Sequence, residues 1–258
     1  MKPKALILKA PGTNCDQEAY WALGQAGADP EVVYLSQLEG NPKKLFDYNL
    51  LFIPGGFSYG DYLGSGKVFS LFIETSLGDA MRRFAAEGRT VIGVCNGFQV
   101  LVKMGLLPGS EERGARREEK QTVSLTFNKT GRFECRWVPL EFQKRSILSK
   151  RLSLHSSPLT PHPELPIAHG EGRFVTASPK ILSRLEKDGL VFLRYYKENH
   201  NGSVNRIAGI TNREGNVIGL MPHPERFAKR EHHYNWPANE EFFPWGLEFL
   251  KAVIRVRC

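Results

Sequence analysis

No stretch of this sequence stays apolar long enough to cross a bilayer. The first such run, within MKPKALILKAPG, is interrupted by Lys9 and then by Pro11 and Gly12, so neither a signal peptide nor a membrane anchor is expected. Cysteine is scarce. Cys15, Cys95, Cys135 and Cys258 show neither the CxxC spacing of a metal site nor the density of a disulfide scaffold, so no metal is expected and a reducing, cytoplasmic setting fits. There is no internal repeat, no low-complexity tract and nothing like an interdomain linker. Residues 1–258 are therefore expected to form one domain, although length alone would also allow two small ones. A GxxxxGK[ST] loop is missing too, which argues against a P-loop nucleotide site. The formal charge of +8 could suggest nucleic acid, but no basic and aromatic recognition motif is present. The densest basic run, Arg113 to Lys120, is interleaved with glutamates and reads as a solvated loop.

What remains, with 41% hydrophobic and 24% charged residues, has the composition of a folded globular protein. Short apolar runs at Ala5 to Leu8, Val32 to Leu35, Leu50 to Ile53 and Thr90 to Val94 read as buried strands. Helix-length stretches alternate with them at Asp16 to Ala26, Gln37 to Phe46 and Val68 to Glu87. The alternation predicts an α/β fold, a mostly parallel, doubly wound sheet with flanking helices. After Gln121 the pattern changes. Thr122 to Phe127 and Phe133 to Val138, joined by the turn signal Asn128 to Gly131, predict an inserted β-hairpin. The proline-rich stretch His155 to Pro166 is assigned no regular structure. Later strands are expected at Val191 to Tyr195, Arg206 to Thr211 and Val217 to Met221, with a closing helix from about Asn239 to Val253.

The chemistry concentrates where strands end. TVIGVCNGF runs from a strand through Gly93, Cys95 and Gly97 into a helix, the cysteine counterpart of the serine-hydrolase elbow. A helix amino terminus aimed at the sulfur favours the thiolate. A lone GxCxG could equally be a buried cysteine in a strand; its company decides. Gln99, one helical turn beyond Cys95, could hydrogen-bond a substrate held there. The last strand leads into Pro222, His223, Pro224 and Glu225, a histidine beside a carboxylate, as a cysteine nucleophile needs for its base and the base's orienter. In extended backbone the two side chains would point the same way. Gly55 and Gly56, after the strand Leu50 to Ile53, could turn a backbone N–H toward the sulfur and complete an oxyanion hole with Asn96. Cys15, in APGTNCD, has no adjoining base or elbow in sequence and is expected to be structural.

Taken in order, APGTNCD, PGGFSYGDYL, GVCNGFQVL, HGEGRF, NGS, IAGITN and MPHPER resemble the motifs of the glutaminase subunits and domains of phosphoribosylformylglycinamidine synthases, from residue 10 to residue 226. The resemblance implies a class I glutamine amidotransferase, flavodoxin-like in fold. It implies a triad of Cys95, His223 and Glu225, with an oxyanion hole from the backbone of Gly56 and Asn96. Glutamine contacts would come from Gln99, Gly55 and Gly56, with His169, Gly170, Glu171 and Gly172 as weaker candidates. It also implies L-glutamine as substrate and ammonia passed to a synthetase subunit in purine synthesis, with a small bridging subunit. No cofactor is expected in this chain, since ATP and magnesium would belong to the synthetase; nor is any contact with nucleic acid or membrane. Two departures stand out: Gly64, Ser65 and Gly66 follow GDYL where the family usually has arginine, a small residue and glycine, and His200 replaces the proline of NPNGS. The alternatives are another class I amidotransferase, a γ-glutamyl hydrolase and a catalytically dead binding subunit.

Overall fold

The computed structural model describes residues 1–109, 121–152, 162–238 and 243–257. Its strands are β1 (Lys4–Lys9), β2 (Asp29–Tyr34), β3 (Leu50–Ile53), β4 (Thr90–Val94), β5 (Val123–Thr126), β6 (Glu134–Phe142), β7 (Glu164–His169), β8 (Arg173–Thr176), β9 (Val191–Tyr195), β10 (Ile207–Thr211) and β11 (Val217–Leu220). The helices are α1 (Asp16–Gln25), α2 (Leu35–Glu39), α3 (Lys67–Ala86), α4 (Asn96–Lys103), α5 (Ile147–Leu152), α6 (Pro179–Lys187) and α7 (Trp245–Arg257).

Nine strands form one sheet in the order β2-β1-β3-β4-β11-β10-β9-β6-β7, and β5 pairs with β8 apart from it. From β2 to β11 every pairing is parallel. From β11 to β7 every pairing is antiparallel. The parallel half is the apolar half: β3, β4 and β11 are buried along their whole length and β1 over its four central residues. Such strands need cover on both faces. Two helix groups supply it, α1 with α7 and α5, and α3 with α2 and α4. The chain leaves β1 toward β2 on one side and returns to β3 on the other. Strand order therefore reverses at β1, the place where open α/β sheets hold their ligands, beyond the strands' carboxyl ends.

The α/β class and the first four strands match the sequence expectation. The inserted hairpin does not. Both strands exist, but β5 pairs with β8, and β6 pairs with β7 and β9. Asn128 explains the divergence. Its side chain binds the carbonyls of Arg132 and His169 and the N–H of Gly172, so the turn after β5 is tied to the segment between β7 and β8 rather than folded back on itself. The long expected helix from Gln37 is broken into α2 and a short 3-10 helix (Pro42–Asp47) by Gly40, Asn41 and Pro42. Of the stretch assigned no structure, residues 155–161 lie outside the described residues. Glu164, Leu165 and Pro166 open β7, an edge strand, where proline is tolerated. The closing helix starts at Trp245 rather than near Asn239, with residues 239–242 outside the described residues, as is the basic run at 113–120.

At the opposite rim from the strand carboxyl ends, buried Asn216 donates to the carbonyls of Ala85 and Arg89 at 2.7 and 2.8 Å and accepts from Asn212 at 3.0 Å. This ties the start of β11 to the end of α3. Asn216→Ala is expected to lower the unfolding free energy in urea by about 1–3 kcal/mol, since it strands buried polar groups, without altering activity at the far rim.

Candidate active site

Cys95 stands between β4 and α4 with φ 52° and ψ −104°, a conformation that costs a non-glycine residue about 1–3 kcal/mol. The surroundings hold it there. Its N–H donates to Leu220 O at 2.9 Å, and its carbonyl accepts the first bond of α4 from Gln99 N–H at 3.1 Å. The flanking glycines are required by contact rather than by dihedral angle. A Cβ on Gly97 would lie 2.0 Å from Ile53 O, and one on Gly93 would lie 2.5 Å from Gly97 O, so α4 starts in van der Waals contact with the strand ends below it. The thiol is nearly buried, 3.6 Å from Ala168 O of β7.

His223 follows β11 in extended backbone, and its N–H donates to Pro166 O at 2.9 Å. Glu225 sits in a short 3-10 turn, Pro224–Arg226, rather than in continuing strand. The turn still aims the carboxylate back at the ring: His223 Nδ1 and Glu225 Oε1 are 2.7 Å apart and both side chains are fully buried. The amino end of α7 braces this turn. A Cβ on Gly246 would lie 2.0 Å from Pro224 O, and Leu247 N–H donates to Phe227 O. Burial opposes a charge on the imidazole. The negative Glu225, and then hydrogen bonding toward the Cys15 and Cys95 sulfurs and to Glu225, outweigh it and raise the His223 pKa well above the usual histidine value. Its Nε2 makes no fully formed hydrogen bond in this resting arrangement.

These groups converge on Gly55. A Cβ there would lie 2.7 Å from His223 Cε1, 3.2 Å from Cys15 Sγ and 3.3 Å from Cys95 Cβ, so this position must be glycine for the ring and the two cysteine side chains to share the space. Gly56, at φ 140°, would bring a Cβ 2.7 Å from Asn14 N. The loop after β1 thus lies flush against the loop after β3, laced to it by Cys15 N–H to Gly55 O, Phe57 N–H to Gly12 O and Tyr59 N–H to Pro11 O.

That contact corrects the expectation for Cys15. A base does adjoin it, brought from the other end of the chain. Its sulfur, a ring nitrogen of His223 and a carboxylate oxygen of Glu225 all lie within 4.8 Å of one another. Arg226 Nη2 donates to the sulfur at 3.0 Å. Burial raises the Cys15 pKa, with hydrogen bonding and charge from His223 working against it. The trio has the donors of a soft-metal site, yet the guanidinium beside the sulfur opposes a cation, and Nδ1 is already engaged by Glu225.

Gln99, expected to contact a substrate, is engaged by partners within the protein. It is buried, accepts from Asn96 Nδ2 at 3.2 Å and donates to Glu171 O at 2.7 Å. It ties the His169–Gly172 segment to the elbow helix. Asn96 extends that network, accepting from Ser58 Oγ at 2.6 Å and donating to Asp61 Oδ1 at 3.1 Å. Glu171 Oε1 accepts from Ser65 N–H at 3.3 Å. His169 is buried on β7 with Nδ1 3.1 Å from Asn128 Oδ1. Burial and then the nearby His223 lower its pKa to about 4, so it is a neutral wall residue. Gly172 carries no side chain because its Cβ would fall 2.2 Å from the His169 ring. Sequence reasoning missed Cys15, Arg226, Ser58 and Asp61 as neighbours of the site. The one available signal was that the loops holding them follow β1, β3 and β11, whose carboxyl ends share one rim.

Such a rim, with a thiol on a strained elbow, a buried imidazole and carboxylate pair and glycine-lined loops, has the parts for acyl transfer from an amide. The family model described as a CobB/CobQ-like glutamine amidotransferase domain matches residues 2–254. The phosphoribosylformylglycinamidine synthase subunit PurQ of Treponema denticola is 46% identical over 244 residues, covering 87% of this chain and 88% of that protein. The PurQ subunit of Thermus thermophilus is 42% identical over 255 residues, covering 96% and 98%. A solved structure of PurLQS from Thermotoga maritima contains a chain 34% identical with a TM-score of 0.72, covering 99% of each. A glutamine amidotransferase of known crystal structure, also from Thermotoga maritima, shares the fold at 14% identity and a TM-score of 0.52, covering 99% of this chain and 97% of that one. This chain belongs to the CobB/CobQ-like glutamine amidotransferases and, within them, to the glutaminase subunits of phosphoribosylformylglycinamidine synthase.

Proposed function

We propose that Cys95, His223 and Glu225 act as the triad that hydrolyses L-glutamine in this subunit, over a single domain spanning residues 1–258. The observation that carries the reading is the buried imidazole, fixed at Nδ1 by Glu225 at 2.7 Å, whose ring shares the clearance around Gly55 with the Cys95 side chain. The Cys95 thiolate attacks the side-chain carbonyl carbon of glutamine. The backbone N–H groups of Gly56 and Asn96 receive the developing oxyanion, the latter free for this because it heads α4 and has no intrahelical acceptor. The imidazolium of His223 gives its proton to the departing nitrogen, so ammonia leaves and a γ-glutamyl thioester remains. His223, now neutral, takes a proton from water, whose oxygen attacks the thioester. Glutamate is released and the imidazolium and thiolate are restored.

Glutamine contacts come from the Gly55 and Gly56 loop and the segment from His169 through Gly170 and Glu171 to Gly172, with Gln99 holding that segment in place. The ammonia goes to an ATP- and magnesium-dependent synthetase subunit, with a small third subunit bridging the two; the PurLQS assembly of the Thermotoga relative supports this. A cytoplasmic setting fits the free thiols of Cys15, Cys95 and Cys135. Among the described residues no helix is long and apolar enough to cross a membrane.

With the synthetase present, an electrophilic glutamine analogue is expected to modify Cys95 and no other cysteine, as read by peptide mass spectrometry. Absence of label at pH 8 would favour a dead binding subunit, and full glutaminase activity without the synthetase a stand-alone hydrolase. A second outcome follows from the charge on Glu225. Its negative charge stabilises the imidazolium, so Glu225→Gln removes that support and the imidazolium is lost at a lower pH than in the wild type. The rate of glutamine hydrolysis at neutral pH is expected to fall by roughly 10²- to 10⁴-fold in steady-state assays.

A further inference from the structure

The two N–H groups assigned to the oxyanion stand on separate pieces of chain, Gly56 on the loop after β3 and Asn96 at the head of α4. They work together only when both lie about 2.7–3.1 Å from one point, so something must fix the loop against the helix. Backbone bonds tie the Gly56 loop to the loop after β1, through Phe57 N–H to Gly12 O and Cys15 N–H to Gly55 O. Among the described residues its polar bonds to α4 run through the side chain of Asn96. That amide is fully engaged. Oδ1 accepts from Ser58 Oγ at 2.6 Å. Nδ2 donates to Asp61, 3.1 Å from Oδ1 and 3.3 Å from Oδ2, and to Gln99 Oε1 at 3.2 Å, which occupies both of its hydrogens. Ser58 and Asn96 are both buried. Asp61 reaches the same amide because Tyr59, Gly60 and Asp61 run in succession through left-handed backbone, at φ 53°, 71° and 51°. For the two non-glycine residues this is a costly path, kept only where contacts hold it. Asp61 Oδ1 also accepts from Gly66 N–H at 2.9 Å, which closes the loop before α3.

We propose that Ser58 and Asp61 are positioning residues for the oxyanion hole: gripping the Asn96 amide at its two ends, they hold the Gly56 N–H and the Asn96 N–H at one spacing. The proposal rests on the reading of those two groups as the oxyanion donors. When the thiolate adds to the carbonyl carbon, the C=O pair moves onto oxygen and the new charge meets donors already in place. A loop displaced by about 1 Å leaves the Gly56 N–H short of that oxygen, while the Asn96 N–H stays with its helix. The charge exists only on the way to and in the tetrahedral state, so the loss falls on kcat and leaves KM nearly untouched. Asp61 acts through its acceptor oxygens. Because Oδ1 serves both Gly66 and Asn96, an asparagine at this position keeps both bonds.

The test uses the complex reconstituted with the synthetase and compares wild type with Ser58→Ala, Asp61→Ala and Asp61→Asn. The readouts are kcat and KM for glutamine hydrolysis, the inhibition constant of the γ-aldehyde analogue of glutamine, and the rate at which iodoacetamide alkylates Cys95. The aldehyde adds to the Cys95 sulfur, a C–S bond forming as the carbonyl pair moves onto oxygen, so its adduct occupies the hole. Alkylation forms a C–S bond as iodide leaves and calls on no oxyanion donor. Ser58→Ala and Asp61→Ala are each expected to lower kcat about 10- to 100-fold with KM little changed, and to raise the inhibition constant by a similar factor, while alkylation holds within about twofold. Asp61→Asn is expected to recover most of the loss. Unchanged kcat and inhibition in both alanine variants overturns the proposal. So does a loss shared equally by alkylation and aldehyde inhibition, which marks a general disturbance of the site, or a rise in KM alone, which marks a contact with bound glutamine. Where Asp61→Ala fails to assemble, Ser58→Ala, which deletes one buried hydroxyl, decides alone. If wild type neither takes label at Cys95 nor is inhibited by the aldehyde, the triad reading falls and this one with it; if it does both and Ser58→Ala behaves as wild type, only this one falls.

Discussion

The site depends on how closely the elbow helix approaches the strand ends beneath it. Gly97 meets the Ile53 carbonyl at a distance no side chain allows, and Gly93 meets Gly97 in the same way. That approach forces Cys95 into its strained backbone and lifts the sulfur out of β4 toward the rim. It also fixes where everything else must go. The loop after β3 passes beside the sulfur through a residue that lacks a side chain, and the imidazole fills the space this leaves. Close packing of backbone on backbone, more than any polar bond, sets the distances between the reacting groups.

Polar contacts then hold the loops to that frame. Asn96 and Gln99, bonded neighbours on the first turn of α4, reach Ser58 and Asp61 on one side and Glu171 on the other. Ser65 joins through its backbone N–H to Glu171. Because this last bond uses the main chain, the Gly64, Ser65 and Gly66 departure from the family pattern leaves it available. Asn128 performs the matching task from the far side, binding His169 and Gly172. Side-chain amides thus join three loops that are remote in sequence.

What could be read from the sequence follows a physical division. Strands β1, β3 and β4 and the elbow were legible because burial on both faces makes short apolar runs, and a tight approach makes glycine compulsory. His223 and Glu225 were legible because the pair is local, although a 3-10 turn and not extended chain brings the two together. The hairpin failed because both strands have the right alternation and a turn between them, while the choice of partner lies with Asn128 and a segment some forty residues onward. The neighbourhood of Cys15 was hidden for the same reason. Nothing near it in the chain is a base, and only the sheet order brings His223 and Arg226 to its sulfur. Gln99 shows the converse: helical spacing located it correctly one turn above Cys95, but not the carbonyl that it binds.

The packing of α7 against the turn that carries His223 and Glu225 has a consequence for biosynthesis. During translation the nucleophile emerges long before the histidine, and the brace for that histidine, Gly246 against Pro224, emerges later still. A ribosome-bound chain that has completed β4 therefore exposes a cysteine without its proton partner. Assembly of the proton-transfer pair thus waits on α7, the helix that braces the turn carrying His223 and Glu225.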